Sequence, residues 1–82
     1  MKILYFAWLK TKTGTSQEII KNVRINDVNS LLKYLAKKHP NLRKFIFQKD
    51  VIRISVNLKY TTKNKKLHKN DEVALFPPVS GG

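Results

Sequence analysis

The stretch Glu72-Val73-Ala74-Leu75-Phe76-Pro77-Pro78-Val79-Ser80-Gly81-Gly82 decides the fold of this 82-residue chain. Its first five residues are mostly apolar and predict a buried strand. The two prolines then stop the strand, because proline has no backbone N–H to donate to a neighbouring strand and holds the chain extended. We therefore expect residues 1–78 to form a single domain, from which residues 79–82 project as a flexible tail.

The tail ends in two glycines, and we expect the carboxylate of Gly82 to be the reactive group. Because glycine has no side chain, the backbone at Gly81 and Gly82 fits a narrow channel and leaves the terminal carbonyl carbon unhindered. Adenylation would convert this poor electrophile into an acyl-adenylate that a sulfur donor could attack. Many chains also end in small residues without a function, so the glycines alone leave both alternatives open. The prolines and the apolar strand before them favour a function.

Length and composition exclude several other kinds of chemistry. One small domain leaves no room for an internal catalytic cleft, and the absence of cysteine excludes disulfides and thiolate metal sites. His39 and His68 are far apart and have no carboxylate at ligand spacing, so we expect no metal site. No phosphate-binding loop or nucleophile elbow is present. We therefore expect this chain to bind no cofactor, and a partner to bind the ATP that activation needs.

The N-terminal run Met1–Leu9 is apolar but too short for a signal peptide with a cleavage site. Lys10 and Lys12 follow it at once, so we interpret it as the first strand of a cytoplasmic protein. No run approaches the length needed to cross a bilayer, and we expect no membrane partner.

The remaining pattern predicts an α+β fold. Asp27 is a good N-cap for a helix that starts at Val28 and carries one apolar stripe to Ala36, and Pro40 ends this helix. The other predicted elements are strand 2–9, hairpin turn 10–17, an irregular strand 18–25, a short helical turn over 42–47 with its large residues inside, strand 52–57, a very short strand anchored by Leu67, and strand 72–76. In strand 18–25, Ile19, Val23 and Ile25 share one parity and form an apolar stripe that Lys21 interrupts. A C-terminal strand parallel to the N-terminal strand gives a β-grasp, or ubiquitin-like, fold. It has a mixed sheet of four to five strands crossed by one main helix.

The net charge is +12, from 17 basic and 5 acidic residues that are spread evenly along the chain. A basic domain attracts nucleic acid or an acidic protein surface. Lysine outnumbers arginine 14 to 3, whereas strong readout of phosphates or bases favours arginine. We therefore interpret the charge as a solvated lysine surface and expect no nucleic-acid partner. A basic nucleic-acid-binding β-grasp module remains an alternative.

The residues Asp71–Gly82 resemble the C-terminal signature of the MoaD family, the small subunits of molybdopterin synthase. Four further matches occur in the same order, so the resemblance covers essentially the whole chain. These matches are Ile3-Leu4-Tyr5-Phe6-Ala7, Gly14-Thr15, Leu31-Leu32 and Val56-Asn57.

The resemblance implies a sulfur carrier in molybdenum cofactor biosynthesis, which is a non-catalytic sulfur-donor subunit of a sulfurtransferase complex. An E1-like adenylyltransferase would adenylate Gly82, and sulfur would replace AMP to give a thiocarboxylate. The tail would then donate this sulfur to cyclic pyranopterin monophosphate within the large subunit, in a hetero-oligomer of two small and two large subunits. A sibling carrier for thiazole, tRNA thiolation or protein tagging would have the same tail and remains an alternative.

The resemblance also implies an apolar sheet patch that docks both partners. Its members correspond to Phe6, Tyr60 and Phe76, although the residues themselves leave open whether each lies in the patch or in the core. The expected interface continues along the tail through Pro77, Pro78, Val79 and Ser80. The chain departs from the family's usual residues at three positions, which are Lys10, Asn70 and Ser80.

Overall fold

The computed structural model describes residues 1–22, 24–48 and 50–78. The described elements are strands β1 (Lys2–Tyr5), β2 (Gln17–Ile19), β3 (Arg53–Val56), β4 (Lys59–Thr61) and β5 (Glu72–Phe76), with helices α1 (Leu9–Thr13), α2 (Val28–Lys38) and α3 (Pro40–Ile46).

The C-terminal strand, β5, lies in the centre of the sheet. The sheet order is β2-β1-β5-β3-β4. β1 pairs in parallel with β5, so that Tyr5 lies beside Leu75, and all other neighbours are antiparallel. The parallel pairing and the predicted β-grasp arrangement are both confirmed.

The core lies between one face of this sheet and the helices. Alternation along the strands places Ile3 and Tyr5 of β1 beside Val73 and Leu75 of β5, and all four are buried. The apolar stripe of α2 packs against them, as predicted, with these residues buried: Val28, Leu31, Leu35 and Ala36. The predicted N-cap is also confirmed, because the backbone N–H of Ser30 donates to Asp27 Oδ1 over 2.8 Å.

The first strand is shorter than predicted. β1 ends at Tyr5, because Ala7 adopts a positive φ of 55° and turns the chain. Leu9, predicted to end the strand, instead begins α1 and is fully buried. α1 ends at Gly14, whose φ of 77° is favourable for glycine. The prediction of a turn without a helix was wrong here. A helix with a single buried residue shows no repeating pattern of apolar residues in the sequence.

The second strand is also shorter, and its apolar parity differs from the prediction. β2 comprises only three residues, and its register with β1 places Ile19 opposite Lys2. Ile19 is therefore 59% exposed on the face of the sheet away from the core, whereas Ile20 and Ile25 are buried after the strand has ended. Val23, which the predicted stripe included, lies outside the described residues.

The segment after α2 is a full helix and not a single turn. Proline at its first helical position suits the start of α3. Leu42 and Ile46 are buried as predicted, and Phe45 is half-buried. Phe47 follows the last helical residue and is 61% exposed, so its predicted burial was wrong.

The short fourth strand lies earlier in the chain than predicted. β3 and β4 form a hairpin whose two turn residues, Asn57 and Leu58, have φ values of 51° and 69°. Glycine usually occupies such a turn, and its absence here conceals the hairpin in the sequence. Leu67 is buried as predicted, but it does not lie in a strand. Its neighbour Lys66 makes an isolated bridge to Asp27.

A half-buried polar cluster ties β2 to the end of α2. Glu18 Oε2 accepts a 2.6 Å hydrogen bond from the Tyr5 hydroxyl and lies 2.7 Å from His39 Nε2. Glu18 Oε1 lies 2.6 Å from Lys38 Nζ. Burial raises the pKa of Glu18, but the hydrogen bonds from Lys38, Tyr5 and His39 outweigh it and hold the pKa below its usual value. The charged form of Glu18 therefore stabilises the fold.

We expect Glu18→Ala to lower the free energy of unfolding at neutral pH by about 2–4 kcal/mol, because it leaves the buried Tyr5 hydroxyl without its acceptor. Since the pKa of Glu18 is lower in the folded than in the unfolded chain, its stabilisation is present above about pH 4.3 and is lost as the pH falls below that value. Urea unfolding at pH 7 and pH 3 measures both effects, and the gap between wild type and variant should shrink at pH 3.

The matched control is Asp50→Asn, which also removes one acid. Asp50 is exposed and lies 3.5 Å from Arg53 in a surface ion pair, so the change should be within about 1 kcal/mol. A Glu18 variant as stable as this control would contradict the prediction.

Candidate functional site

The face of the sheet away from the helices carries the three aromatic residues of the expected interface. Phe6 is 49% exposed, Tyr60 is 54% exposed and Phe76 is half-buried. The structure therefore places none of them in the core. We call these three residues the sheet patch.

Strand register explains why the patch forms. On β4, Tyr60 lies opposite Ser55 of β3, and on β5, Phe76 lies opposite Arg53 of β3. The rings of Tyr60 and Phe76 consequently come together, with centroids 6.3 Å apart and planes tilted by 46°. The backbone N–H of Phe6 donates to the Leu75 carbonyl over 3.1 Å, which continues the β1–β5 pairing by one residue. Residues distant in sequence thus form one aromatic surface.

Arg53 belongs to this surface, and sequence reasoning missed it. Its guanidinium carbon lies 5.9 Å from the centre of the Tyr60 ring, within range of a cation–π contact. In the sequence, Arg53 reads only as the polar member of a half-buried strand. Its position opposite Phe76 depends on the β3–β5 register, which the sequence does not reveal. Arginine beside exposed aromatic rings is typical of protein interfaces.

The tail begins at one edge of the sheet patch. Pro77, which is half-buried, and Pro78, which is exposed, directly follow Phe76 at the end of the central strand. The predicted tail residues Val79, Ser80, Gly81 and Gly82 lie outside the described residues. The structure thus locates the start of the tail beside the patch.

At this face of the sheet, the described residues offer groups that can contact a partner. The patch and its neighbours present aromatic rings, a guanidinium and the Ser55 hydroxyl. In residues 1–22, 24–48 and 50–78, no three His, Cys, Asp or Glu side chains come together in a group that could hold a metal ion. No helix of the same residues has the length and apolar character needed to cross a membrane.

Comparison with known sequences places the chain in a family. The model of the ThiS family matches residues 3–82. The molybdopterin synthase sulfur carrier subunit of Dictyostelium discoideum is 32% identical over 85 residues, which cover 99% of this chain and 94% of that protein. The corresponding subunit of Arabidopsis thaliana is 29% identical over 82 residues, covering 100% of this chain and 82% of that protein.

Solved structures agree with this placement. Small archaeal modifier protein 1 from Haloferax volcanii superposes with a TM-score of 0.84 at 30% identity, covering 100% of this chain and 98% of that chain. A chain in the complex of subunits 1 and 2 of the molybdopterin-converting factor from Helicobacter pylori superposes with a TM-score of 0.68 at 26% identity, covering 99% and 96%. The chain therefore belongs to the ThiS family of β-grasp proteins, and the resemblance to MoaD proteins that its C-terminal motif indicates is confirmed.

Proposed function

We propose that this chain is a sulfur carrier in molybdenum cofactor biosynthesis and acts as the small subunit of a molybdopterin synthase. The observation that carries the proposal is the match along the full chain to sulfur carrier subunits, together with the diglycine that follows the central strand and two prolines. The cycle needs ATP, and we place it in the cytoplasm.

Gly82 is the reactive residue in this proposal. A carboxylate oxygen of Gly82 attacks the α-phosphorus of ATP in an E1-like partner, which releases pyrophosphate and forms an acyl-adenylate. Sulfide (HS⁻) supplied by a donor then attacks the carbonyl carbon, and AMP leaves with the electron pair of the broken C–O bond. The product is a C-terminal thiocarboxylate. Gly81 keeps the approach to this carbon clear, because it has no side chain.

The sheet patch is the docking surface in this proposal. Its exposed aromatic rings and Arg53 provide the anchors through which interfaces obtain most of their binding energy. The related complex of subunits 1 and 2 of the molybdopterin-converting factor supports a large-subunit partner. We propose an assembly of two small and two large subunits. The prolines direct the tail from the patch into the large subunit, where the thiocarboxylate donates its sulfur to cyclic pyranopterin monophosphate.

The intact mass of the chain tests the proposal. After incubation with its E1-like enzyme, ATP and a sulfur donor, the chain should gain about 16 Da, which is the difference between sulfur and oxygen. The control omits ATP and should show the unmodified mass. Adding the large subunit and cyclic pyranopterin monophosphate should return the chain to its original mass. A chain whose mass stays constant in every mixture would contradict the proposal.

A second candidate function is protein tagging, which the similarity to small archaeal modifier protein 1 favours. In that case the activated Gly82 would form amide bonds with lysines of other proteins. The two functions differ in their products. Tagging would yield proteins heavier by the mass of this chain, and addition of the large subunit and the pterin would not change the amount of thiocarboxylate.

A further inference from the structure

The three helices carry positive charge without any negative charge. α1 contains two lysines, α2 three lysines, and α3 one arginine and one lysine, and none of the three helices contains Asp or Glu. Lys38 pairs with Glu18. In the part of the chain that the structure describes, the other six form no salt bridge. They are Lys10, Lys12, Lys33, Lys37, Arg43 and Lys44.

Five of these six cations, all except Lys10, line two adjoining surface depressions. The first, of 710 Å³, lies between α1 and α3, and its lining includes Lys12, Arg43 and Lys44. The second, of 490 Å³, lies between α2 and α3, and its lining includes Lys33 and Lys37. Arg43 and Phe47 line both depressions, so the two form a continuous surface, which we call the helix face.

Aromatic rings lie among the cations of the helix face. Phe47 is 61% exposed. The ammonium groups of Lys12 and Lys44 lie 5.4 Å and 5.1 Å from the centre of the half-buried Phe45 ring. The Phe45 ring is held edge-on against Trp8, with centroids 5.0 Å apart. The lining of the first depression also includes Thr11, Asn41 and Gln48, whose hydroxyl and amide groups both donate and accept hydrogen bonds.

We propose that the helix face binds single-stranded RNA. Cations that line a groove attract the phosphates, and an exposed aromatic ring provides a surface on which a base stacks. An acidic protein surface would also be attracted to these cations, but the centre of a protein interface is depleted in charged residues and more apolar, whereas the helix face has cations throughout and one exposed large apolar residue, Phe47. A lipid surface is bound more tightly when apolar side chains insert in addition to the attraction of cations, and the helix face offers one exposed large apolar side chain for insertion.

The helix face and the sheet patch lie on opposite sides of the sheet, because the helices pack on the face that carries Ile3 and Leu75. Both surfaces can therefore be occupied at once. RNA binding is independent of the sulfur carrier function, and the failure of one proposal leaves the other unchanged.

Fluorescence anisotropy with a labelled twelve-nucleotide oligouridine tests the proposal. The plot of log affinity against log salt concentration should fall with a slope of about −2 to −3.5, which corresponds to three to five phosphates at about 0.7 each for a single strand. A twelve-residue polyglutamate serves as the acidic peptide probe. Polyglutamate binding as tight as that of the RNA would overturn the proposal in favour of an acidic protein partner.

Two charge-matched variants locate the site. One replaces Lys12, Arg43 and Lys44 with Gln. The other replaces three exposed lysines of the loop between β4 and β5, Lys63, Lys65 and Lys69, and lowers the net charge by the same three units. The first should weaken RNA binding by about tenfold or more and reduce the salt slope by about 2, and the second should change affinity less than about threefold. Equal losses would show attraction to net charge alone and would overturn the proposal.

Two further variants complete the test. Phe47→Ala should weaken binding at least about fivefold, the lower end of what one stacked base contributes, and an unchanged affinity would overturn the proposal. The double change of Lys33 and Lys37 to Gln keeps the test valid if the triple variant at Lys12, Arg43 and Lys44 fails to fold. Lys33 and Lys37 are exposed and lie off the buried stripe of α2, so their replacement should not disturb the fold. It should weaken binding about threefold to tenfold, and no loss would overturn the proposal.

Discussion

Removal of Gly81 and Gly82 is expected to abolish thiocarboxylate formation completely, because no carboxylate then reaches the active site of the activating enzyme. The fold should be unchanged, since every buried residue of the described core precedes Pro77. Binding to the large subunit should weaken by no more than about tenfold, because the aromatic anchors remain. Intact mass measures the chemistry, thermal unfolding measures the fold, and calorimetry measures the affinity.

The matched control for this deletion is Ser80→Thr, which keeps the chain length, the hydroxyl and the terminal diglycine. This variant should form the thiocarboxylate at the wild-type rate. A truncated chain that still carries sulfur would place the reactive group elsewhere.

The second large effect is expected from the sheet patch. Replacing Phe6 and Tyr60 together with Ala should weaken binding to the large subunit by about 1,000-fold, because interface aromatics of this kind contribute about 2 kcal/mol each. Both side chains are about half exposed in the free chain, so stability should change by less than about 2 kcal/mol. Calorimetric titration with the large subunit, alongside thermal unfolding of the free variant, measures both quantities.

Leu58→Ala provides the comparison for the patch variant. Leu58 is 89% exposed, but it lies in the β3–β4 turn, at the opposite end of β3 from Arg53. Loss of this apolar side chain should leave affinity within about twofold of wild type. Equal losses at both sites would indicate that general surface apolarity, and not the patch, drives association.

The parts of the fold that the sequence predicted are those with strong local signals. The central strand is a continuous apolar run, and α2 has both an N-cap and an unbroken apolar stripe. α1 has one buried residue, and the β3–β4 turn has Leu58 in a conformation that usually requires glycine. Such short elements depend on packing and strand register, which local pattern does not contain.

The candidate site likewise has one part that local sequence predicts, the tail, and one part that depends on strand register, the sheet patch. Its tail could be predicted from sequence, because the chemistry proposed for the diglycine needs only consecutive residues. The patch came from a family resemblance, and its residues alone left core and surface equally possible. Strand register then placed Tyr60, Phe76 and Arg53 on one face, and sequence reasoning had no means of including Arg53.

The sequence by itself predicted the main helix, because its N-cap and apolar stripe are local signals, and the β-grasp class, because the order of its elements has few compatible topologies. The sequence is also the source of the proposal that Gly82 is the reactive end. It also determined the amount of positive charge, which is spread evenly along the chain. Only the tertiary structure decided which residues share a face. Packing of three helices on one side of the sheet collects the five cations of the helix face there. The sheet patch is left exposed on the other side, because strand register and helix packing join residues that are far apart in sequence.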